Sequence, residues 1–169
     1  MTCNILGAVL ATMLGVLSFG ATAAAQQASA SPGRVEVVLA NEHRTHVDAI
    51  KQEFGEGGLG NVHIQWMRLG HPPMNLGLGP GVTAERARAA IRMAKKYNGG
   101  VTILLPERLF PDHYVTIASS SFDDTVEYPI GEEALTELEN PSLTTEQFHE
   151  QYRRLTPIDQ PPVKKGRAF

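Results

Sequence analysis

The chain has 169 residues, 42% of them hydrophobic, with 18 acidic and 15 basic side chains and a formal net charge of −3. That length holds one ordinary domain, and the acidic balance argues against nucleic acid as a partner. A single cysteine, Cys3, leaves nothing for it to pair with inside the chain.

Ile5 to Phe19 is almost wholly apolar, and no Lys, Arg, Asp or Glu precedes Arg34. Small residues follow, with Ala23 and Ala25 at the positions an A-x-A cleavage site needs. This pattern predicts a secretory signal peptide over residues 1–25. A retained membrane anchor is the alternative. The apolar run is shorter than the roughly 20 residues a spanning helix needs, and no stop-transfer charge follows it. Cleavage near Ala25 removes Cys3 and delivers a periplasmic or secreted protein without thiol chemistry, not membrane-spanning. Residues 26–33 read as a linker and residues 34–156 as a single α/β domain.

Within the domain, RVEVVLA (Arg34–Ala40) reads as a buried strand. NEHRTHVDAIKQEF follows as a helix, capped by Asn41, with Val47, Ile50 and Phe54 on one face. His43 and His46 are spaced to seat two metal ligands on that helix. No HExxH or Cys/His set completes such a site, and both fall at the edge of the apolar stripe, where histidines pack on one side and face water on the other. After the turn GEGGLGN, Val62, Ile64 and Trp66 alternate with His63, Gln65 and Met67 as a strand with one wetter face. Thr83–Tyr97 is the clearest helix, with Ala87, Ala90, Ile91 and Ala94 inward and Asn98-Gly99-Gly100 as a left-handed stop. VTILLP (Val101–Pro106) is a buried strand, and YVTIA (Tyr114–Ala118) is most simply its hairpin partner. Two helices close the domain. The second has a capping box at Thr144 and Gln147, a staple at Leu143 and Phe148, and an inward face of Phe148, Tyr152 and Leu155. TPIDQPPVKKGRAF, residues 156–169, reads as a tail from Pro157 onward.

The element order predicts a small mixed sheet of four to five strands with helices packed on it. If NLGLG is itself a strand, the order becomes βαββαββ, and a ferredoxin-like sandwich is the alternative.

Four features bear on function. The first is NLGLGPGVTAERARAA (Asn75–Ala90), where Gly77, Gly79 and Gly81 lead into a helix start. Free N–H groups there welcome an anion, and Thr83, Arg86 and Arg88 complete the candidate ligand set. The spacing is G-x-G-x-G with Pro80 inside, which matches neither the dinucleotide fingerprint nor a P-loop. A structural turn is the competing reading, and no cofactor or resident metal is expected. The second is charge layout: ten acidic residues and no Lys or Arg lie between Leu109 and Tyr152, while Arg88, Arg92, Lys95 and Lys96 share one helix face. The third is a set of oxygen ligands for a cation, Asp112, Asp123, Asp124 and Glu127, without the spacing of an EF-hand. The fourth is the run Ser119-Ser120-Ser121, which lacks a G-x-S-x-G elbow.

NLGLGPGVTAERARAAI resembles the strand–glycine–helix segment of sporulation-related repeat domains, and YVTIASSSF resembles its second copy; together these cover 26 of the 169 residues. An extra βαβ precedes them, and two helices follow where that family ends on a strand. The resemblance implies binding of peptidoglycan glycan strands. The resulting expectation is an exported, non-enzymatic domain that binds a protein partner or a cell-envelope polymer. The alternative is a small periplasmic hydrolase using acidic, His or Ser residues between positions 112 and 127, with His113 near the serine run.

Overall fold

The computed structural model describes residues 33–122 and 129–156. The signal-peptide, linker (apart from Gly33) and tail assignments, and the candidate ligands Asp123, Asp124 and Glu127, lie outside the described residues. Five strands, β1 (Val35–Ala40), β2 (Val62–Met67), β3 (Asn75–Leu78), β4 (Ile103–Leu105) and β5 (Val115–Ile117), form one sheet in the order β2-β1-β5-β3-β4. Four helices accompany it: α1 (Val47–Glu56), α2 (Ala84–Asn98), α3 (Glu132–Leu138) and α4 (Thr145–Leu155). This is the expected small α/β domain with a mixed sheet and two C-terminal helices. Among the described residues, no helix is long and apolar enough to cross a membrane.

The pairing differs from two expectations. β5 is not the hairpin partner of β4; it lies between β1, which it joins in parallel, and β3, which it meets antiparallel. The chain leaves β4 through a 3-10 turn at Glu107–Leu109 and crosses β3 before entering the sheet. Nor is this a ferredoxin-like sandwich. That fold splits its βαβ units around an intervening strand, whereas here β1 and β2 are direct parallel neighbours, as are β3 and β4.

The alternation of each strand sorts its side chains between two faces. Val35, Val37, Leu39, Leu76, Leu78, Leu104, Val115 and Ile117 join α1 and α2 in the main core. α2 supplies Ala87, Ala90, Ile91 and Ala94, all buried, and small side chains let its backbone approach the sheet. Its stop is as read, with Gly99 at φ 76° closing the C-terminus, while Thr83 is its N-cap and not its first residue, its hydroxyl accepting from the Arg86 N–H. The capping box at Thr144 and Gln147 starts α4, which buries Phe148 and Tyr152. The Tyr152 hydroxyl donates within reach of the carbonyls of Leu76 (3.1 Å) and Leu105 (2.7 Å), so α4 is tied to both β3 and β4. Burial is the main cause that pushes this phenol well above its ordinary range.

The segment after β1 is the other correction. Asn41–His46 is a 3-10 helix with no side-chain cap, and α1 begins only at Val47. Three residues per turn puts this segment out of phase with α1. His43 is half-buried edge-on against Tyr97, but His46 is exposed.

Candidate functional site

The glycine stretch is a crossing point of two chain segments. Gly77 lies within β3, Gly79 donates its N–H to the Tyr114 carbonyl at 2.8 Å, and Gly81 sits in the turn before α2. A Cβ on Gly77 would lie 2.4 Å from the Phe110 ring, and one on Gly79 would lie 1.9 Å from the Pro111 carbonyl oxygen. One on Gly81 would lie 2.8 Å from the His113 ring. The glycines admit the 110–114 segment, which lies directly on them.

The helix start is occupied from the same side. The Ala84 N–H reaches the Thr145 hydroxyl at 3.3 Å, and Arg86 N–H reaches Thr83 at 3.4 Å. Arg86 donates Nη1 to the His113 carbonyl (3.3 Å) and Nη2 to the Gly33 carbonyl (3.0 Å). Its Nε is buried without a partner, and desolvation lowers the guanidinium's pKa. Arg88 points elsewhere, donating to the Asn140 carbonyl at 3.2 Å. The structure therefore engages these candidate anion ligands within the fold and sends the two arginines to different neighbours. The basic face of α2 meets part of the acidic segment through the Lys95–Glu139 ion pair. Below this region Glu107, 9% exposed, pairs with His149, whose Nε2 donates to the Val82 carbonyl at 2.6 Å. That clasp fixes α4 to the turn before α2.

Asp112 is exposed, and His113 donates Nδ1 to the Gly81 carbonyl at 2.5 Å. The serine run lies beyond the other end of β5. Six residues of largely extended chain, about 20 Å at the strand rise, separate His113 from Ser119. β5 therefore carries His113 away from these serines.

The serine run instead lines a narrow polar cleft of about 60 Å³ with Glu36, Gln65 and Thr116, on the sheet face opposite α2. Its floor is built with care. Asn75, 1% exposed, accepts from the Ser119 N–H through Oδ1 (2.7 Å) and donates Nδ2 to the Ser119 carbonyl (3.0 Å). Its own carbonyl takes the Ala118 N–H at 2.8 Å. These three bonds hold Ala118 at φ 61°, a left-handed conformation that costs an L-residue about 1–2 kcal/mol. The result is a sharp turn that brings Ser119, Ser120 and Ser121 back over the sheet. Thr116, 3% exposed, has its methyl group where a Cβ on Gly77 would lie 2.7 Å away. Its hydroxyl makes no hydrogen bond among the described residues.

One wall of the cleft is Glu36, held by Arg34 at 2.6 Å. Glu36 also faces Tyr114, a phenol pushed far up first by burial and then by this carboxylate. Tyr114 stacks on Phe110 with centroids 5.7 Å apart, and Phe122 meets Phe110 edge-on at 6.1 Å. All three rings are half-buried. The arrangement offers hydroxyl, amide and carboxylate groups beside an aromatic wall, which suits hydrogen bonding to a polar ligand.

Sequence reasoning named the serines and missed Asn75, Glu36, Gln65 and Thr116 as their neighbours. Glu36 in RVEVVLA and Thr116 in YVTIA were the available signal: polar residues at alternate positions of otherwise apolar strands mark a second, wetter face. Comparison of the chain with protein-family models, curated proteins and solved structures finds no match.

Proposed function

We propose that the chain is an exported, non-enzymatic binding domain, and that the cleft at the end of β5 receives a cell-envelope component such as peptidoglycan. The observation that carries this reading is the Thr116 hydroxyl, which makes no hydrogen bond among the described residues and opens into a cleft rimmed by three serines. A hydroxyl presented to such a cleft is completed by water or by a ligand. The Asn75 clamp and the left-handed Ala118 add to the case, since strained backbone persists where surrounding structure enforces it. The signal-peptide pattern and the resemblance of the glycine–helix segment point to the same compartment and ligand. The hydrolase alternative has less support, because His113 lies at the other end of β5 and the carboxylate beside the serines, Glu36, is already paired with Arg34.

Co-sedimentation with isolated peptidoglycan tests the proposal. Wild-type protein is expected in the pellet. Thr116→Val and Ser120→Ala are each expected to bind about 3- to 10-fold more weakly, the loss of one hydrogen bond between uncharged groups. Wild-type protein left in the supernatant removes the envelope ligand. Release of soluble fragments from the polymer on long incubation would restore the hydrolase.

A further inference from the structure

β2 is an edge strand with one neighbour, β1. Among the described residues nothing pairs with its outer side. Natural edges are blunted by Lys, Pro, a bulge or a covering element. β2, VHIQWM, has no Pro, no Lys and no formal charge, and it pairs residue for residue with β1 over its full six residues. Its row Val62, Ile64 and Trp66 is only half-buried by the core, and His63 and Gln65 are exposed on the cleft face.

We propose that this edge pairs antiparallel with β2 of a second copy of the chain, about a two-fold axis at Ile64. That register is self-complementary. It sets Ile64 against its own copy and Val62 against Trp66, so the half-buried apolar row is covered by its equivalent. On the other face it sets His63 of one copy against Gln65 of the other, with no like charges opposed. Directly opposed residues in antiparallel strands share a face, so the two clefts end up on one side of a continuous ten-stranded sheet. Gln65 lines the cleft, and His63 of the second copy becomes its neighbour there. Two clefts on one surface allow a repeating polymer to be held at two points, which raises avidity without any new contact. This use of the pairing rests on the binding role proposed above; the pairing itself does not.

Two experiments test it. In analytical ultracentrifugation the wild-type chain is expected at twice the monomer mass, and His63→Lys/Gln65→Lys, which opposes lysines at two places, is expected as a folded monomer. Both positions are exposed, so the substitutions leave the monomer fold intact. In a Cys3→Ser background, His63→Cys/Gln65→Cys is expected to form a covalent dimer on mild oxidation, because opposed residues of this register fall within disulfide range. A monomeric wild type, or a dimer that survives the two lysines, overturns the proposal. A dimer that does not cross-link overturns the register. A wild-type dimer that fails to sediment with peptidoglycan keeps the pairing and removes the binding role.

Discussion

The two ends of β5 carry the two stretches of sequence richest in candidate chemistry, and they are built in opposite ways. At the end near Tyr114, glycines and a helix N-terminus converge, yet the donors traced there go to the protein's own carbonyls and hydroxyls, and the space a ligand would need holds Phe110, Pro111 and His113. At the end near Ala118, an undistinguished run of serines is lifted over the sheet by Asn75 and left beside a free threonine hydroxyl. Glycine lets a backbone come close, but whether the approaching partner is a ligand or another part of the chain is a tertiary question. A polar strand position without a partner is the more informative sign.

Substitutions sharpen that contrast. The largest effect is expected for Gly79→Ala. Its new methyl group would lie 1.9 Å from a carbonyl oxygen of a crossing backbone, and overpacking of this kind costs about 3 kcal/mol or more. A denaturation midpoint within error of wild type would mean that the crossing is loose and the end near Tyr114 is open after all. Asn75→Ala comes next. It leaves the Ser119 N–H and carbonyl without their buried partner, at about 2 kcal/mol in chemical denaturation, and it releases Ala118, so ligand binding falls as well. Unchanged binding would separate the clamp from the cleft. Thr116→Val should change stability by no more than about 0.5 kcal/mol, since the hydroxyl has no partner to lose; a larger loss would show that it is structural. The smallest effect is expected at Glu53, away from both ends. Hydrogen bonds from Lys96 and then Tyr97 hold its carboxyl below the usual carboxylate range. A depressed folded-state pKa contributes stability above the unfolded value near 4.5, and that stability is lost as pH falls through the folded value. Glu53→Gln should therefore lower stability slightly at neutral pH and not at all in strong acid. The site is partly exposed and screened, and thermal melts at the two pH values check it.

Much of the fold was legible because it is written in local chemistry. The alanine face of α2, the Gly99 stop and the Thr144–Gln147 box each depend on residues within a few positions, and each stands where the sequence puts it. The segment from Asn41 to His46 misled because its residues fit the phase of the following helix, and a 3-10 turn breaks that phase without any Gly or Pro to announce it. Of the candidate site, the serines were visible as a run, but Asn75 is 44 positions away in the chain from Ser119, which it clamps.

By itself, then, the sequence determined the helices, their caps, the strand segments and the alternating polar positions, because all of these are set by interactions between near neighbours in the chain. The tertiary structure decided the strand order, the placing of β5 between β1 and β3, the closing of the glycine loop and the assembly of the cleft. Each depends on which distant segment arrives at a given surface, and that is settled by packing and by the pairing of buried polar groups across the whole sheet.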